Sequence, residues 1–389
     1  MSTKITSQNC PQCGAPVEGE GQRVNCSYCR ASLIRSQESA TSNEGKWGVH
    51  FKTISCIDHQ GAGIEAFRML IPSEWEFDGG VTWLMNNPGM PAVIAFKVSN
   101  PQGEEVFEVF PNIPCFWSNN PMTRGFFPQG SLYFGSDVRP PAPALQVLRE
   151  LVVPRHRSQV SSLEVVQEEH LPELAQQLKS DIQSSAGGIT STDGGRIRIK
   201  YKSGDHEYEE DIFGVVEIAK VSMPMMMAAV ELINWTADYL FSFRALVGQL
   251  DHLSELFMSI VRSFRLNPMW FNRYIQTSQF MIQNQIQQIQ NVGQISRIIS
   301  QTNDQISDMI MSSYENRQAT MDRMSENFSQ AIRGVDEFYN PFEEQGIELP
   351  GGYDHAWANN LGEYIVTDDP TFDPNIETNL DWQKMKRRA

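Results

Sequence analysis

The period of apolar and polar positions changes twice between Trp235 and Trp270, and the rest of the chain is organised around that stretch. Residues 235–243 alternate loosely, as a half-buried strand does. Apolar residues then recur at steps of three and four, which predicts an amphipathic helix that lays one stripe on a sheet. The stripe consists of Leu246, Leu250, Leu253, Phe257, Ile260, Val261 and Phe264. Asn267 and Pro268 predict the end of this helix and the start of another, because Asn caps a helix and Pro suits its first position.

Most of the chain before this stretch is typical of antiparallel hairpins, with short aromatic and β-branched runs between turn residues. The first predicted strands are residues 49–54, 66–71, 80–84, 92–98 and 105–110. A loop rich in Gly and Pro at residues 119–143 precedes helical patterns at 142–151 and 162–180. Further strands are predicted at residues 196–202 and 207–218, on either side of a turn at Ser203-Gly204-Asp205, and at 223–232 and 235–243.

This order of strands, helices, strands and a final helix predicts an α+β domain over residues 47–267, in which a central antiparallel sheet is packed with helices. Two features resemble the end of PsbP-like domains: the strand that runs into Phe243-Arg244-Ala245, and the helix that ends with SFRLNPMW at residues 263–270. The resemblance implies an antiparallel sheet between helices and a non-catalytic role in binding or assembly.

Four cysteines near the N-terminus form a repeated C-x-x-C motif, Cys10 with Cys13 and Cys26 with Cys29. Each pair can place two thiolates on one face of a tight turn, and two such turns complete a tetrahedral Zn²⁺ site with Zn–S distances of about 2.3 Å. Two disulfides or a redox centre are the alternative, but four cysteines at this spacing in a reducing compartment favour zinc. The motif resembles zinc ribbons over residues 8–34. The resemblance implies one structural Zn²⁺ ion, closed by four protein ligands, in a domain at residues 1–35.

The charge of the chain argues against nucleic acid as its partner. The net charge of −16 repels phosphate. The ribbon itself is near neutral, because the excess of Lys4, Arg23, Arg30 and Arg35 over Glu18 and Glu20 is offset by the net negative charge of four thiolates with one Zn²⁺ ion. A basic stripe with interleaved aromatic residues, which nucleic-acid binding favours, is missing there. We therefore expect the ribbon to contact protein.

We expect a cytoplasmic protein that does not span a membrane. No apolar run approaches the roughly 20 residues of a membrane helix. The N-terminus lacks the apolar region of a signal peptide, and Cys10 falls where that region would lie. Residues 36–46 are small and polar, which predicts a flexible linker after the ribbon.

Residues 268–340 contain no proline after Pro268 and are rich in Gln, which predicts a long, coiled-coil-like helix of about 110 Å. Apolar residues recur every seven positions in series that are out of register with one another. The series are Ile275, Ile282 and Ile289, then Val292, Ile299 and Ile306, then Tyr314, Met321, Phe328 and Val335. Three alternatives stay open: a helix packed along its own domain or folded into a hairpin, a self-associating or partner-docking arm, and a disordered polar tract.

Residues 341–389 are acidic and aromatic with a basic end, and we expect an irregular tail that docks through Trp357, Tyr364 and Trp382. The run from Asp368 to Asn375 clusters oxygen atoms. It lacks the Gly and the final Glu of an EF-hand loop, so these residues are predicted to form turns rather than a calcium site.

Motifs of known catalytic chemistry are missing from the sequence. Four histidines directly follow an aspartate, but adjacent residues point in different directions and do not form a catalytic dyad by themselves. The H-E-x-x-H, P-loop, dinucleotide-binding and G-x-S-x-G patterns do not occur. Cys56 and Cys115 lie in strand-like settings, where buried structural thiols are commoner than nucleophiles.

These observations favour a non-enzymatic adaptor or assembly protein that binds a protein partner or a second copy of itself through the long helix and the tail. Two alternatives stay open. One is an enzyme with its site in the central domain, around the loop at residues 119–143 with His156 or His170. The other is a transcription-related nucleic-acid binder that acts through the ribbon.

The ribbon prediction is tested by the metal content of the purified full-length protein. We expect one zinc ion per chain by mass spectrometry of the metal, and a loss of most of that zinc in Cys13→Ser or Cys26→Ser, because three thiolates hold the ion more weakly. Cys115→Ala is the control, since Cys115 lies outside the motif, and it should keep its zinc. Zinc retained in both motif variants would contradict the prediction.

Overall fold

The computed structural model divides the chain into two compact units, Met1–Lys46 and Trp47–Ala389, and each is described by itself. In the first unit the structure describes four short strands. In the second unit it describes residues 49–172, 175, 189–224, 229–290, 335–377 and 380–388.

The first unit contains two antiparallel hairpins. Strand β1 (Gln8–Asn9) pairs with β2 (Pro16–Val17), and β3 (Arg23–Asn25) pairs with β4 (Ser32–Ile34). In the sequence, Cys10 and Cys13 fall between the strands of one hairpin, and Cys26 and Cys29 fall between those of the other. The cysteines themselves lie outside the described residues.

The second unit is built mainly from strands. Its first eight are β5 (Val49–Ile57), β6 (Glu65–Pro72), β7 (Glu76–Trp83), β8 (Ala92–Ser99), β9 (Val106–Val109), β10 (Ile113–Ser118), β11 (Leu132–Tyr133) and β12 (Ser136–Val138). Next come β13 (Ser161–His170), β14 (Ile189–Ser203), β15 (His206–Pro224), β16 (Ala229–Leu246) and β17 (Arg265–Leu266). The last are β18 (Val335–Asn340), β19 (Gln345–Pro350), β20 (His355–Asn359), β21 (Glu363–Thr367), β22 (Trp382–Lys384) and β23 (Lys386–Arg387).

The helices of this unit are fewer. Helix α1 (Pro121–Phe126) is short, and α2 (Ala144–Val147) continues through a π-helical turn, Leu148–Val152, into α3 (Val153–His156). A 3₁₀ turn, Leu250–Leu253, leads into α4 (Ser254–Arg262). Helices α5 (Pro268–Gln290) and α6 (Pro374–Glu377) follow. Among the described residues, no helix combines the length and the apolar character that crossing a membrane requires.

The largest sheet has ten strands and is centred on β16. On one side of β16 lie β15, β14 and β13, in that order. On its other side β16 has two neighbours, β10 along its first half and β9 along its second half. Strands β8 and β7 continue the sheet from β9, and β12 and β11 continue it from β10.

A β-bulge marks the point where β16 changes its neighbour. Phe213 of β15 faces Phe241, but Val215 faces Asp238, so Gly214 lies opposite both Tyr239 and Leu240. Tyr239 adopts a left-handed conformation, with φ of 50°, which costs a residue other than Gly about 1 kcal/mol. Because of the extra residue, the odd-numbered side chains of β16 point to one face of the sheet before the bulge and to the other face beyond it. Trp235 and Phe243 therefore belong to different cores.

Strands β15 and β16 bury both of their faces. On one face, Phe213, Phe241 and Phe243 pack with the six-stranded sheet β17-β6-β5-β21-β20-β22 and with helices α4 and α5. On the opposite face, Ile212, Trp235 and Leu240 pack under the α2–α3 helix. A third core lies between the six-stranded sheet and the three-stranded sheet β19-β18-β23. The unit is therefore a stack of three sheets with a helix on its outer face.

The predicted α+β class, a helix-packed central sheet, is wrong. The described chain is rich in strands that form several sheets, and the helices cover or join them. Residues 162–180 were predicted to be helical, but Ser161–His170 is the exposed edge strand β13. Its residues Leu163 and Val165, which point to the same face of the strand, contact a core. Pairing with β14 decides its structure, and the local pattern does not.

The irregular C-terminal tail is also a wrong prediction, and so is a helix that continues to residue 340. Val335–Asn340 is strand β18, so the helix ends before it, and residues 291–334 lie outside the described part of the chain. Strand β21 pairs with β5, roughly three hundred positions earlier in the sequence. Trp382 and Tyr364 are buried. The β5–β21 pairing leaves no local pattern in the sequence, whereas β18 with β19 and β20 with β21 are local hairpins that the sequence-based prediction missed.

The structure confirms several local predictions. Gly204, with φ of 60°, and Asp205 form the two-residue turn between β14 and β15. The helix predicted after residue 246 forms as α4, and its Phe257 and Ile260 are fully buried. Asn267 caps α5 by accepting a hydrogen bond from the backbone N–H of Met269, at 2.9 Å.

The close approach of the α2–α3 helix to the bulge leaves room only for Gly at position 214. A Cβ atom there would lie 2.7 Å from Leu240 Cδ2 and 2.9 Å from Leu148 Cδ2. We expect Gly214→Ala to lower the free energy of unfolding by about 1–3 kcal/mol in urea titrations, the usual cost of overpacking. Gly204→Ala, in the open turn, should lose only about 1 kcal/mol for its left-handed conformation. A Gly214→Ala variant as stable as Gly204→Ala would contradict this packing argument.

Candidate functional site

Asp58 forms a buried polar centre that joins three parts of the second unit. It follows β5 and is 1 % exposed. Its carboxylate accepts hydrogen bonds from the backbone N–H of Gly61 and of Ala62, both at 2.9 Å, as aspartates in turns commonly do. It also accepts hydrogen bonds from Trp83 Nε1 at 2.9 Å and from Trp270 Nε1 at 2.8 Å. We call Asp58, Trp83 and Trp270 the Asp58 clasp.

Hydrogen bonds stabilise the buried negative charge of the Asp58 carboxylate, and no cation is among the partners that the structure describes for it. Burial by itself raises the pKa of Asp58, but the backbone donors of Ala62 and Gly61 and the two indoles outweigh it, so the pKa lies below its ordinary value. Because the donors come from the turn after β5, the end of β7 and the first turn of α5, the carboxylate fixes the start of α5 on the sheets. In the sequence, Asp58 stood out only as one of the four aspartates that precede a histidine, and nothing there indicated that Trp83 and Trp270 bind it.

A second buried centre lies at the end of the α2–α3 helix. Arg157 donates hydrogen bonds to both carboxylate oxygens of Glu210, at 2.5 and 2.7 Å, and to Glu108 at 2.6 Å. The hydroxyl of Tyr201 donates to Glu210 at 2.9 Å. Glu210 is fully buried, and the Arg157 side chain is 12 % exposed. We call Glu108, Arg157, Tyr201 and Glu210 the Arg157 cluster.

Arg157, Tyr201 and the neighbouring His156 each have a shifted pKa. Burial lowers the pKa of Arg157, but hydrogen bonding to Glu210 and the charges of Glu210 and Glu108 outweigh it, so the pKa rises above its ordinary value. Burial, together with the charge of Glu210, raises the pKa of Tyr201. Burial and the charges of Arg157 and Arg155 lower the pKa of His156 to about 4, so its ring is neutral at pH 7. The charged hydrogen bonds of Arg157 hold the end of the α2–α3 helix on the sheet.

The β14–β15 hairpin carries a ladder of ion pairs on the face opposite to that of the Arg157 cluster. Charged residues at alternate positions of β14 meet acids of β15 and of neighbouring segments. The pairs are Arg196 with Glu169 at 2.9 Å, Arg198 with Asp211 at 2.8 Å and with Asp251 at 2.7 Å, Lys200 with Glu209 at 2.8 Å, and Lys202 with Glu207 at 2.7 Å. The outer pair of Lys202 and Glu207 is exposed, so solvent screening leaves it little effect on stability. The ladder explains the alternation of basic and apolar residues along β14.

The residues proposed for an enzyme site make separate structural contacts. His156 stacks on Phe110, with 4.3 Å between ring centroids. His170 is exposed at the end of β13, with its Nδ1 3.8 Å from Asp193. The loop at residues 119–143 forms α1, β11 and β12, and Trp235 Nε1 donates to its Arg139 carbonyl at 2.9 Å. In the part of the chain that the structure describes, no hydrogen bond, ion pair or ring contact links His156 to His170, so the two do not form one site.

The remaining predicted residues are accounted for where the structure describes them. Cys56 and Cys115 are buried thiols, and burial is the main reason that the pKa of Cys115 rises to about 12. Asp369 and Asp373 accept hydrogen bonds from the backbone N–H groups of Thr371 and Asn375, which confirms their role in turns. Outside the undescribed segments, no group of three or more His, Cys, Asp or Glu side chains has the arrangement of a metal site. Cys10, Cys13, Cys26 and Cys29 are not part of that described set.

Helix α5 presents two different faces. Its inner face is buried against the sheets at Trp270, Phe271, Tyr274, Ser278, Met281 and Ile282. Its outer face is exposed and carries two large apolar side chains, Met269 and Phe280, which are 64 % and 66 % exposed. Of the alternatives left open for this helix, its described part agrees with a helix packed along its own domain, because Ile282 is buried and Ile275 packs against the core of the same unit.

Comparisons of the chain with protein-family models, with curated proteins and with solved structures give no match.

The role of Asp58 predicts a specific dependence of stability on pH. Because its pKa is lowered in the folded protein, its contribution is complete above the ordinary aspartate pKa of about 3.9 and is lost as the pH falls through the folded value. We expect Asp58→Asn to lower the free energy of unfolding by about 1–3 kcal/mol at pH 7, and this difference from wild type to shrink below about pH 4. Urea titrations across pH 3–7 measure it.

Asp205→Asn, in the exposed turn between β14 and β15, is the control for this experiment. It removes an aspartate charge without touching a buried donor and should change stability by less than about 0.5 kcal/mol. A cost of Asp58→Asn that stays constant down to pH 3 would show that the carboxylate charge does not stabilise the fold.

Proposed function

We propose that this chain is a non-enzymatic assembly protein that associates with a second copy of itself through the outer face of α5. A structural Zn²⁺ ion held by Cys10, Cys13, Cys26 and Cys29 shapes its N-terminal unit. Nucleic acid plays no part in this role, and the protein acts in the cytoplasm.

The observation that carries the proposal is the pair of exposed apolar residues on α5. Met269 and Phe280 are eleven residues apart, which is close to three helical turns, so they lie on the same face of the helix. Arg273, Gln276 and Gln283 are also exposed on that helix. Large exposed apolar side chains that are aligned in this way are characteristic of docking surfaces.

The charge of α5 favours a second copy of the chain as the occupant. Residues 268–290 contain one charged side chain, Arg273, in a chain whose net charge is −16. Two copies that meet through α5 bring Gln and apolar residues together, so the net negative charge of each chain opposes this contact little. A two-fold contact uses the same patch on both partners, so a nearly uncharged patch is self-compatible.

Two further features support the proposal. The Asp58 clasp fixes the first turn of α5, so the docking face is presented by a rigid helix and little order has to be gained on binding. The two hairpins of the first unit have their C-x-x-C pairs between paired strands, the place that a zinc ribbon requires. Helix α5 and the hairpins belong to separate units, so metal binding and self-association can be tested independently.

The self-association of the full chain tests this function. We expect light scattering to give a mass near twice the 44.1 kDa of one chain, and Phe280→Ser to raise the dimer dissociation constant about tenfold or more, because a buried aromatic ring is lost from the contact. The control is Met85→Ser, which removes an apolar side chain of similar exposure, 68 %, from another surface, and it should dimerise like wild type. A monomer at every concentration, or equal effects of the two variants, would remove the proposal.

A further inference from the structure

The Arg157 cluster continues into three buried polar atoms that have no hydrogen-bond partner among the described residues. They are His156 Nε2, Ser242 Oγ and Arg244 Nε. Ser242 is 1 % exposed. A hydroxyl or guanidinium N–H group in such a place normally has a partner, because a buried group without one loses its hydrogen bonds to water and gains none in return.

Strand register places these groups on the face that carries the Arg157 cluster. Ser242 and Arg244 are two positions apart on β16, so their side chains point to the same side of the sheet. Ser242 lies directly opposite Glu108 on β9, and Arg244 lies directly opposite Glu210 on β15. His156 immediately precedes Arg157 and stacks on Phe110, a short step beyond Glu108. The three atoms therefore border one polar region between the helix end and the sheet.

Arg244 shows that this region is not closed by ion pairs. Glu210 and Glu108 are both engaged by Arg157, and Glu104 accepts the hydroxyl of Tyr208 at 2.6 Å. The guanidinium of Arg244 lies over the ring of Tyr208, 4.7 Å from its centroid. Its hydrogen bond to the Glu104 carbonyl is long, at 3.5 Å. Its Nε–H group is left to meet something other than these acids.

The charges around Arg244 Nε indicate what kind of molecule can bind beside it. Arg157 and Arg244 balance Glu108 and Glu210, and His156 is neutral. An added anion would be repelled by these carboxylates and by Glu104 at the rim, and an added cation would be repelled by the two guanidinium groups. A neutral molecule that both donates and accepts hydrogen bonds matches the hydroxyl, the N–H group and the imidazole nitrogen together.

We propose that Ser242 Oγ and Arg244 Nε form a built site for an internal water molecule, which couples the sheet to the Arg157 cluster. Internal water commonly satisfies about three buried polar groups in this way and is part of the folded structure. The water accepts from Arg244 Nε and exchanges a hydrogen bond with Ser242 Oγ, and His156 Nε2 borders the same region.

A crystal structure of the full-length protein tests the site directly. We expect one ordered water within hydrogen-bond distance of both Ser242 Oγ and Arg244 Nε. Either atom bonded to protein instead, an ion in that place, or a dry contact would overturn the proposal.

Thermal unfolding of Ser242→Ala provides a second, independent measurement, and its sign separates the two alternatives. If the hydroxyl holds a water, removing it lowers the midpoint of unfolding by about 2 °C or more. If the hydroxyl has no partner, alanine is the better residue there and the midpoint stays the same or rises. Ser259→Ala is the control for losing a buried hydroxyl bonded to protein, since Ser259 Oγ donates to the Glu255 carbonyl at 2.8 Å. It should lower the midpoint in either case.

Discussion

The burial of both faces of β15 and β16 is the constraint on which the second unit depends. Each strand supplies apolar side chains to the core shared with the six-stranded sheet and to the core under the α2–α3 helix. With 19 and 18 residues, these strands are about three times the usual length. Burying each large apolar side chain contributes about 1.5–3 kcal/mol. Because two cores share the same two strands, a change in their register would disturb both cores at once.

The bulge at Tyr239 adapts β16 to this double burial. It reverses which positions of the strand face each core, and it does so where the neighbouring strand changes from β10 to β9. Gly214 lets Leu240 and Leu148 meet at the same point. The cost of one left-handed tyrosine is small beside the packing that it allows, and the conformation is maintained by the structure on both sides.

The polar groups enclosed by this stack act as connectors. The Asp58 clasp fixes the start of α5, and the Arg157 cluster fixes the end of the α2–α3 helix. Both centres lie at the junction of a helix and a sheet, where apolar packing alone leaves the orientation of the helix free. Buried charges with complete hydrogen bonding give such junctions one geometry, at a cost in desolvation that a purely apolar contact does not have. This arrangement supports a rigid body that displays α5, which is the basis of our proposal for function.

The sequence by itself determined the features that depend on neighbouring residues. These include the five early strands, the turn at Gly204, the amphipathic helix α4 and the capped start of α5 at Asn267. Each follows from a local period or from the backbone preference of one residue. The double C-x-x-C motif is equally local, and zinc remains its prediction.

Only the tertiary structure decided the fold class, the nature of β13, the course of residues 335–388 and the polar centres at Asp58 and Arg157. Edge strand β13 obtains its structure by pairing with β14, and the hairpin of β20 and β21 joins the six-stranded sheet only because β21 also pairs with β5. The donors to Asp58 come from positions up to 212 residues away, and the acids that hold Arg157 lie about fifty residues away on two different strands. A period of two or 3.6 residues carries no information about contacts at such separations, because they exist only after the sheets have stacked.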